Sequence, residues 1–449
     1  MIVNPELFVI PNKDNFILYL PLENRAALQV TPGVLSILKN ASSITKENIQ
    51  DGLLKKLVDK KVLVDENYKV KEFGKKPSTY LPSRGVFLPT TDCNLGCIYC
   101  YASSGENSIN MPFGVAKSGI DFLVKNAKET GEKSIGVSFH GGGEPFMNYP
   151  LIFATVEYSK EIAKANKLKV NFSVVTNGVL NENQLNFLAD NRFRLNISLD
   201  GPEDIQDHQR PLRNGKSSFE YVMKTVKFME ENKQNYGIRS TITNFNLNRL
   251  PEMVDFFKEN TTIKDVHFEP VFECGRCEKT ETKEPNSKEF LEKILQAKDY
   301  ALTKGIGIYY SGGRFDSTTE RFCGAAGSNF ILTPYGNITT CLEVSSPSDP
   351  RASIFHIGNK VNGGFEINND KLELLRSRKV GNISHCTDCF SKYNCAGDCL
   401  AKVLARGSLF DTSNNTRCEI NQGVLLYEIN KKLEEAKKWQ ESIKFLNLD

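Results

Sequence analysis

Apolar and polar positions alternate along this chain in two rhythms, and the change of rhythm marks its parts. Leu7 to Ile10 and Phe16 to Leu20 read as short strands joined by the turn Asn12-Lys13-Asp14-Asn15. Thr31-Pro32-Gly33 opens a helix running to about Asn40, and Thr45 opens a second one whose Ile49, Leu53, Leu54 and Leu57 share a face. Val62 to Val64 closes the unit as a third strand. That order predicts a winged-helix-like module over 1–68, followed by a linker over 69–83 marked by Gly-Lys-Lys-Pro and Leu-Pro-Ser.

Beyond the linker, strand-like runs alternate with longer helical periods. The strands lie at Gly85 to Leu88, Ser134 to Phe139, Val170 to Val175, Arg194 to Leu199, Gly237 to Ile242 and Val266 to Pro270. Between them fall helices such as Phe113 to Thr130, Leu151 to Asn166, Glu182 to Ala189, Phe219 to Asn232 and Leu250 to Asn260, with Ser287 to Thr303 after the last strand. Six βα units over 84–310 predict an α/β fold with a parallel sheet, either a partial barrel or an open doubly wound sheet. Ligands collect at the carboxyl ends of strands in both. A charge-rich helix from about Gln422 to Phe445 ends the chain, with Leu425, Ile429, Leu433 and Ala436 on one face and Trp439 read as packing.

Composition narrows the classes. A net charge of +3 on 449 residues gives no basic footprint for nucleic acid. With no signal-peptide pattern and no long apolar run, the chain is expected in the cytoplasm, off the membrane. In that reducing compartment 12 cysteines point to metal ligation or catalytic thiols rather than disulfides. Cys93, Cys97 and Cys100 are spaced C-x3-C-x2-C directly after the first strand. Zinc favours paired C-x2-C knuckles, whereas three thiolates in one loop suit a 4Fe-4S cluster with one iron left open.

With the motifs that follow, this loop resembles the radical S-adenosylmethionine enzymes. His140-Gly141-Gly142-Gly143-Glu144-Pro145, after the second strand, is similar to that family's Gly-Gly-Glu-Pro motif, which implies that Gly142, Gly143, Glu144 and Pro145 bind the methionine amino group. Thr176-Asn177-Gly178 and Ser198-Leu199-Asp200-Gly201 resemble its ribose and carboxylate contacts, implicating Asn177, Ser198 and Asp200, although Asp200 is equally suited to capping a turn. Arg210, and after it Arg239, are the guanidiniums that could pair with the methionine carboxylate. Tyr99 resembles the aromatic residue beside the adenine.

Seven later cysteines resemble the SPASM domain, expected over 311–420 with a C-terminal helix over 421–449. The resemblance implies two auxiliary 4Fe-4S clusters: Cys386, Cys389, Cys395 and Cys418 around an outer one, and Cys323, Cys341 and Cys399 on an inner one. The inner cluster then lacks a ligand. Cys274, Cys277 or a substrate thiolate could supply it, or the pair could be inert buried thiols.

The three parts together resemble maturases of ribosomally made peptides, so the expected fold is a partial (β/α)6 TIM barrel between a winged-helix-like module and an Fe-S-binding SPASM domain. In that family the front module binds the leader of a precursor peptide by strand addition; a purely structural appendage and DNA binding through the second helix are the alternatives for this module. The implied activity is thioether formation from cysteine sulfur to carbon. Carbon-carbon cross-linking, epimerisation, sulfatase-maturase-like oxidation and a non-catalytic electron carrier are the alternatives. Three 4Fe-4S clusters, S-adenosylmethionine and a flavodoxin or ferredoxin electron donor are the implied cofactors and partners.

Overall fold

A computed structural model of the chain describes residues 1–49, 52–74 and 79–446. The front module holds five strands: β1 (Ile2–Val3), β2 (Phe8–Asn12), β3 (Asn15–Leu20), β4 (Ala26–Val30) and β5 (Leu63–Val64). The expected hairpin forms, with Asn12 opposite Asn15 and Lys13 taking a left-handed φ of 54° in the turn. β4 pairs antiparallel with β3 as a third strand that the pattern did not announce, because Ala-Ala-Leu-Gln-Val lacks clean alternation. The first helix runs Pro32–Lys39 with proline in its first turn. Thr45 precedes only a 3-10 turn, Lys46–Asn48, and the second helix starts later, at Gly52. Gln50 and Asp51 of the expected second helix, residues 75–78 of the expected linker and the side chain of Trp439 lie outside the described residues.

β3 is buried on both faces. Leu18 and Leu20 meet Val34, Leu38 and Leu57 inside the module, while Ile17 and Tyr19 pack with Ile10 against Leu425 and Ile429 of the final helix. Burial of this kind supplies about 1.5–3 kcal/mol per large apolar side chain, so the module is welded to the end of the chain.

Seven parallel strands follow: β6 (Arg84–Phe87), β7 (Ser134–Phe139), β8 (Lys169–Thr176), β9 (Arg194–Ser198), β10 (Tyr236–Ile242), β11 (Asp265–Pro270) and β12 (Gly307–Tyr309). They lie side by side in chain order. A doubly wound sheet reverses its strand order at a switch point; this one never does, so it winds as a barrel does. β12 makes seven strands where six were expected, being only three residues long.

The sheet continues past β6 rather than closing. β13 (Ile331–Leu332) pairs parallel with β6, and β14 (Asn337–Thr339), β15 (His356–Val361) and β16 (Gly364–Ile367) extend it antiparallel. The cysteine-rich tail is thus built on the open edge of the barrel. The final helix spans Arg417–Leu446, starting five residues before the expected Gln422 and taking in Cys418. Its first residue is tied into a buried ion network, so the helix begins where that tie is made.

Candidate active site

The cysteine loop after β6 is held by the two segments it faces. Gly96 and Ile98 donate backbone hydrogen bonds to Pro211 and Gln209 at 2.7 and 3.0 Å, and Arg213 donates to Asn94 at 3.0 Å. On the other side Glu144 N donates to Asp92 O at 2.8 Å. The backbones run so close there that a Cβ on Gly143 would lie 2.0 Å from Asp92 O. Gly142 is looser, its nearest neighbour for a Cβ being Thr90 O at 3.5 Å.

Donors point at the loop's sulfurs. Leu95 N reaches Cys93 Sγ at 3.4 Å, Asn177 Nδ2 reaches it at 3.8 Å, and Ser104 N reaches Cys100 Sγ at 3.5 Å. Burial pushes the Cys93 thiol up to about 12 and Cys97 to about 11, each aided by neighbouring thiols. Thiolates in this loop therefore call for a cation, and the sulfur-directed N–H groups suit metal-bound sulfur. The donor set fits the expected cluster.

Glu144 turns inward. Its carboxylate accepts from Phe146 N at 3.2 Å, Thr176 Oγ1 at 2.9 Å and Asn177 N at 2.7 Å, and burial raises it to about 7 against those hydrogen bonds. It ties the loop after β7 to the end of β8. Asp200, after β9, is fully buried and accepts from Tyr99 Oη at 2.6 Å, Gln209 Nε2 at 2.8 Å and Thr241 N at 2.9 Å. These bonds give it a positioning place behind Tyr99 rather than a turn cap. Arg210 Nη1 donates to the Tyr99 oxygen at 2.6 Å, leaving its buried Nε without a partner.

Tyr99, Ser198, Arg210 and Arg239 line one cavity of about 490 Å³ at the carboxyl ends of the strands. Cys274, Leu342, Glu343 and Lys402 line the same cavity. Gly142, Gly143, Glu144, Pro145, Asn177 and Asp200 do not line it. They shape the walls that carry the lining residues.

The tail cysteines gather in two groups. Cys386, Cys389, Cys395 and Cys418 surround one small cavity with Thr412 and Asn421, and Asn421 Nδ2 donates to Cys395 Sγ at 3.1 Å. Cys323, Cys341 and Cys399 are electrostatic neighbours of one another. Among the described residues no three His, Cys, Asp or Glu groups converge on a point as the ligands of a single metal ion would. The pair Cys274 and Cys277 is split: Cys274 faces the central cavity, while Cys277 is buried with Cys100 among its neighbours.

Between these two cysteines lies a residue that spacing did not single out. Arg276 Nη1 donates to Cys97 O at 2.8 Å and Nη2 to Ser104 O at 2.7 Å, and its backbone N donates to Cys100 O at 2.9 Å. Gly275 permits this, because a Cβ there would meet Cys100 O and Tyr101 O at 2.5 Å. Charge-assisted bonds of this kind contribute about 1.5–3 kcal/mol each. Arg276→Ala is therefore expected to loosen the loop, seen as several-fold faster loss of iron to a chelator.

Parallel strands in barrel order, three thiols in the first loop and a cavity at the strand ends give a barrel-like α/β fold whose site suits an iron-sulfur cluster. Residues 87–257 match the Radical SAM superfamily. An uncharacterized protein of Methanocaldococcus jannaschii is 32% identical over 261 residues, covering 57% of this chain and 83% of that protein. The chain belongs to the radical SAM superfamily, whose members use a 4Fe-4S cluster and S-adenosylmethionine. A cysteine-type anaerobic sulfatase-maturating enzyme of Clostridium novyi is 29% identical over 173 residues, 38% of this chain and 46% of that one. In fold the chain is similar to anSMEcpe with bound AdoMet, with a TM-score of 0.62, 19% identity and coverage of 79% and 99%. It is also similar to Streptococcus suis SuiB bound to precursor peptide SuiA, with a TM-score of 0.52, 17% identity and coverage of 92% and 99%. Among the described residues no helix is long and apolar enough to cross a membrane.

Proposed function

We propose that this enzyme installs an intramolecular thioether, from cysteine sulfur to carbon, in a ribosomally made precursor peptide whose leader is held by residues 1–68. The observation that carries the reading is the shared cavity: Tyr99 and Arg210 of the triad side and Leu342, Glu343 and Lys402 of the tail side face one space. Hydrogen abstraction and sulfur handling then act on the same stretch of peptide. The fold likeness to SuiB, seen with a precursor peptide and spanning nearly this whole chain, supports a peptide as substrate.

In this reading Cys93, Cys97 and Cys100 hold the cluster that serves S-adenosylmethionine, and the two tail groups hold the auxiliary clusters. When bound, S-adenosylmethionine supplies a hydrogen-abstracting radical after one-electron reduction by a flavodoxin or ferredoxin. The chain's part is placement. Arg239 and Arg210, whose buried Nε has no partner, would hold the carboxylate of the cofactor. Asp200 and Arg210 fix the Tyr99 ring through its oxygen. The substrate gives up a carbon-bound hydrogen atom, the thiol proton passes to a base, and the remaining electron leaves through the tail.

Anaerobic co-expression with the small peptide encoded beside this gene tests the proposal. Loss of one hydrogen pair per link, with cysteines refusing alkylation, is the expected mass-spectrometric result. The same loss with every cysteine reactive assigns a carbon-carbon link, and an unchanged mass removes both. A second reading, oxidation of a sulfatase residue, is favoured by the Clostridium novyi relative. Against it, Leu342 stands directly after Cys341 where sulfatase-activating relatives generally place an acid. Release of 5′-deoxyadenosine should vanish in Cys93→Ala under every enzymatic reading, whereas an electron carrier releases none from the start.

A further inference from the structure

We infer that the Glu343 carboxylate is the fourth protein ligand of the inner cluster, beside Cys323, Cys341 and Cys399. The inference rests on the reading that these three thiols hold an auxiliary cluster.

Glu343 is tied to the group by covalent reach. It stands two residues after Cys341 in a tight turn, closed by Val344 N donating to Cys341 O at 3.2 Å. Cys323, Cys341 and Cys399 all have the Glu343 carboxylate as an electrostatic neighbour, and for Cys341 and Cys399 it is the strongest charged one.

The carboxylate also lacks the partners its position demands. Glu343 Oε2 is buried and accepts no hydrogen bond. Its nearest cation is Arg351 Nη1 at 3.7 Å, and Arg351 is already held by Asp349 through Nε–Oδ1 at 3.1 Å and Nη2–Oδ2 at 2.9 Å. A carboxylate left half-paired beside three thiols is costly unless a cation lies among them. An iron-sulfur core bound by three thiolates and one carboxylate has the ligand charge of an ordinary cluster held by four thiolates. The other two candidates fit less well. Cys277 sits against the Cys100 side of its turn, and Cys274, although it too has Glu343 as its strongest charged neighbour, has Cys277 rather than a tail cysteine as its sulfur neighbour.

An oxygen ligand has a consequence for the chemistry. Thiolate is the softer donor and displaces carboxylate from an iron-sulfur core readily. Glu343 also lines the central cavity. Glu343 would thus cover the inner iron at rest and yield its place to a peptide cysteine entering the cavity.

The test uses the full chain carrying Cys93→Ala, Cys97→Ala and Cys100→Ala, reconstituted anaerobically so that only the tail binds iron, and read by Mössbauer and electron paramagnetic resonance spectroscopy. Adding Glu343→Ala should shift the inner cluster's signal and let mild oxidation remove about one iron, leaving a three-iron cluster. Glu343→Gln should give a smaller shift, Glu343→Cys the spectrum of an all-thiolate cluster, and Cys274→Ala no change. The outer cluster's signal, constant throughout, reports an intact fold. An unchanged spectrum in Glu343→Ala, or the same change in Cys274→Ala, overturns the assignment while leaving the two-cluster reading in place. Only one cluster's worth of iron in the parent overturns both.

Discussion

Gly143→Ala is expected to abolish 5′-deoxyadenosine release, while Gly142→Ala keeps the fold and a measurable fraction of the activity. The contrast follows from what each new methyl meets. At Gly143 the Cβ lies 2.0 Å from Asp92 O and 2.7 Å from the Asp92 and Thr91 carbonyl carbons. All three are backbone atoms, so no side chain can swing away. The two segments must separate by more than an ångström, which breaks the Glu144 N to Asp92 O hydrogen bond and drags Cys93, the next residue, out of register with Cys97 and Cys100. Overpacking costs about 1–3 kcal/mol, tolerable for the whole fold but concentrated on the loop that carries the triad. Iron content should therefore fall by about one cluster's worth. At Gly142 the nearest atoms are Thr90 O at 3.5 Å and Ser345 Oγ at 3.8 Å, ordinary contacts. Iron analysis and product chromatography on both variants decide the matter. Equal rates of release would show that the close approach is not needed for the triad to bind its cluster.

How much of this could be read from the residues alone depends on the distance over which each feature is determined. The C-x3-C-x2-C triad and the tail's C-x2-C-x5-C-x3-C run stand out in the sequence because each packs its cysteines into one short segment. The parallel strands were legible because one face of each is the more deeply buried, which writes an alternating pattern such as that of Ser134–Phe139 and Arg194–Ser198. β4 and β12 were not, since Ala26–Val30 and Gly307–Tyr309 become strands only through the neighbours they pair with. Glu144 shows the limit within a motif. Its place after three glycines was plain, yet its carboxylate is spent on Phe146, Thr176 and Asn177, which no local pattern announces. Arg276 and Arg417 were passed over because an arginine in sequence looks like a solvated surface charge. A clue existed for both: each adjoins a cysteine, Cys277 and Cys418.

Arg417→Met is expected to destabilise the reconstituted protein by about 3–5 kcal/mol, the usual cost of removing one partner from a buried ion pair. The guanidinium is almost wholly buried. It donates through Nε to Asp398 Oδ2 at 3.0 Å and through Nη2 to Glu269 Oε1 at 2.8 Å, and lies 5.5 Å from the centre of the Tyr310 ring. Asp398 precedes Cys399 and Arg417 precedes Cys418, so this network joins both tail groups to β11 of the barrel. Burial by itself would raise the Glu269 carboxyl, but Arg417, His267 and Lys402 outweigh it and hold it well below the usual carboxylate range; Arg417 does the same for Asp398. Depressed carboxyls stabilise the fold above their unfolded values, near 4, and that stability is lost as pH falls through the lower folded ones. Between pH 8 and 5.5 the native network should therefore add no slope to the melting temperature. In Arg417→Met the sign reverses. Burial then dominates, the two carboxyls rise above their unfolded values, and acid relieves the penalty of keeping them charged. The variant's deficit in melting temperature should shrink as the pH is lowered from 8 to 5.5, and a deficit that stayed constant or widened would show that Lys402, His267 and Asn415 neutralise the pair without Arg417.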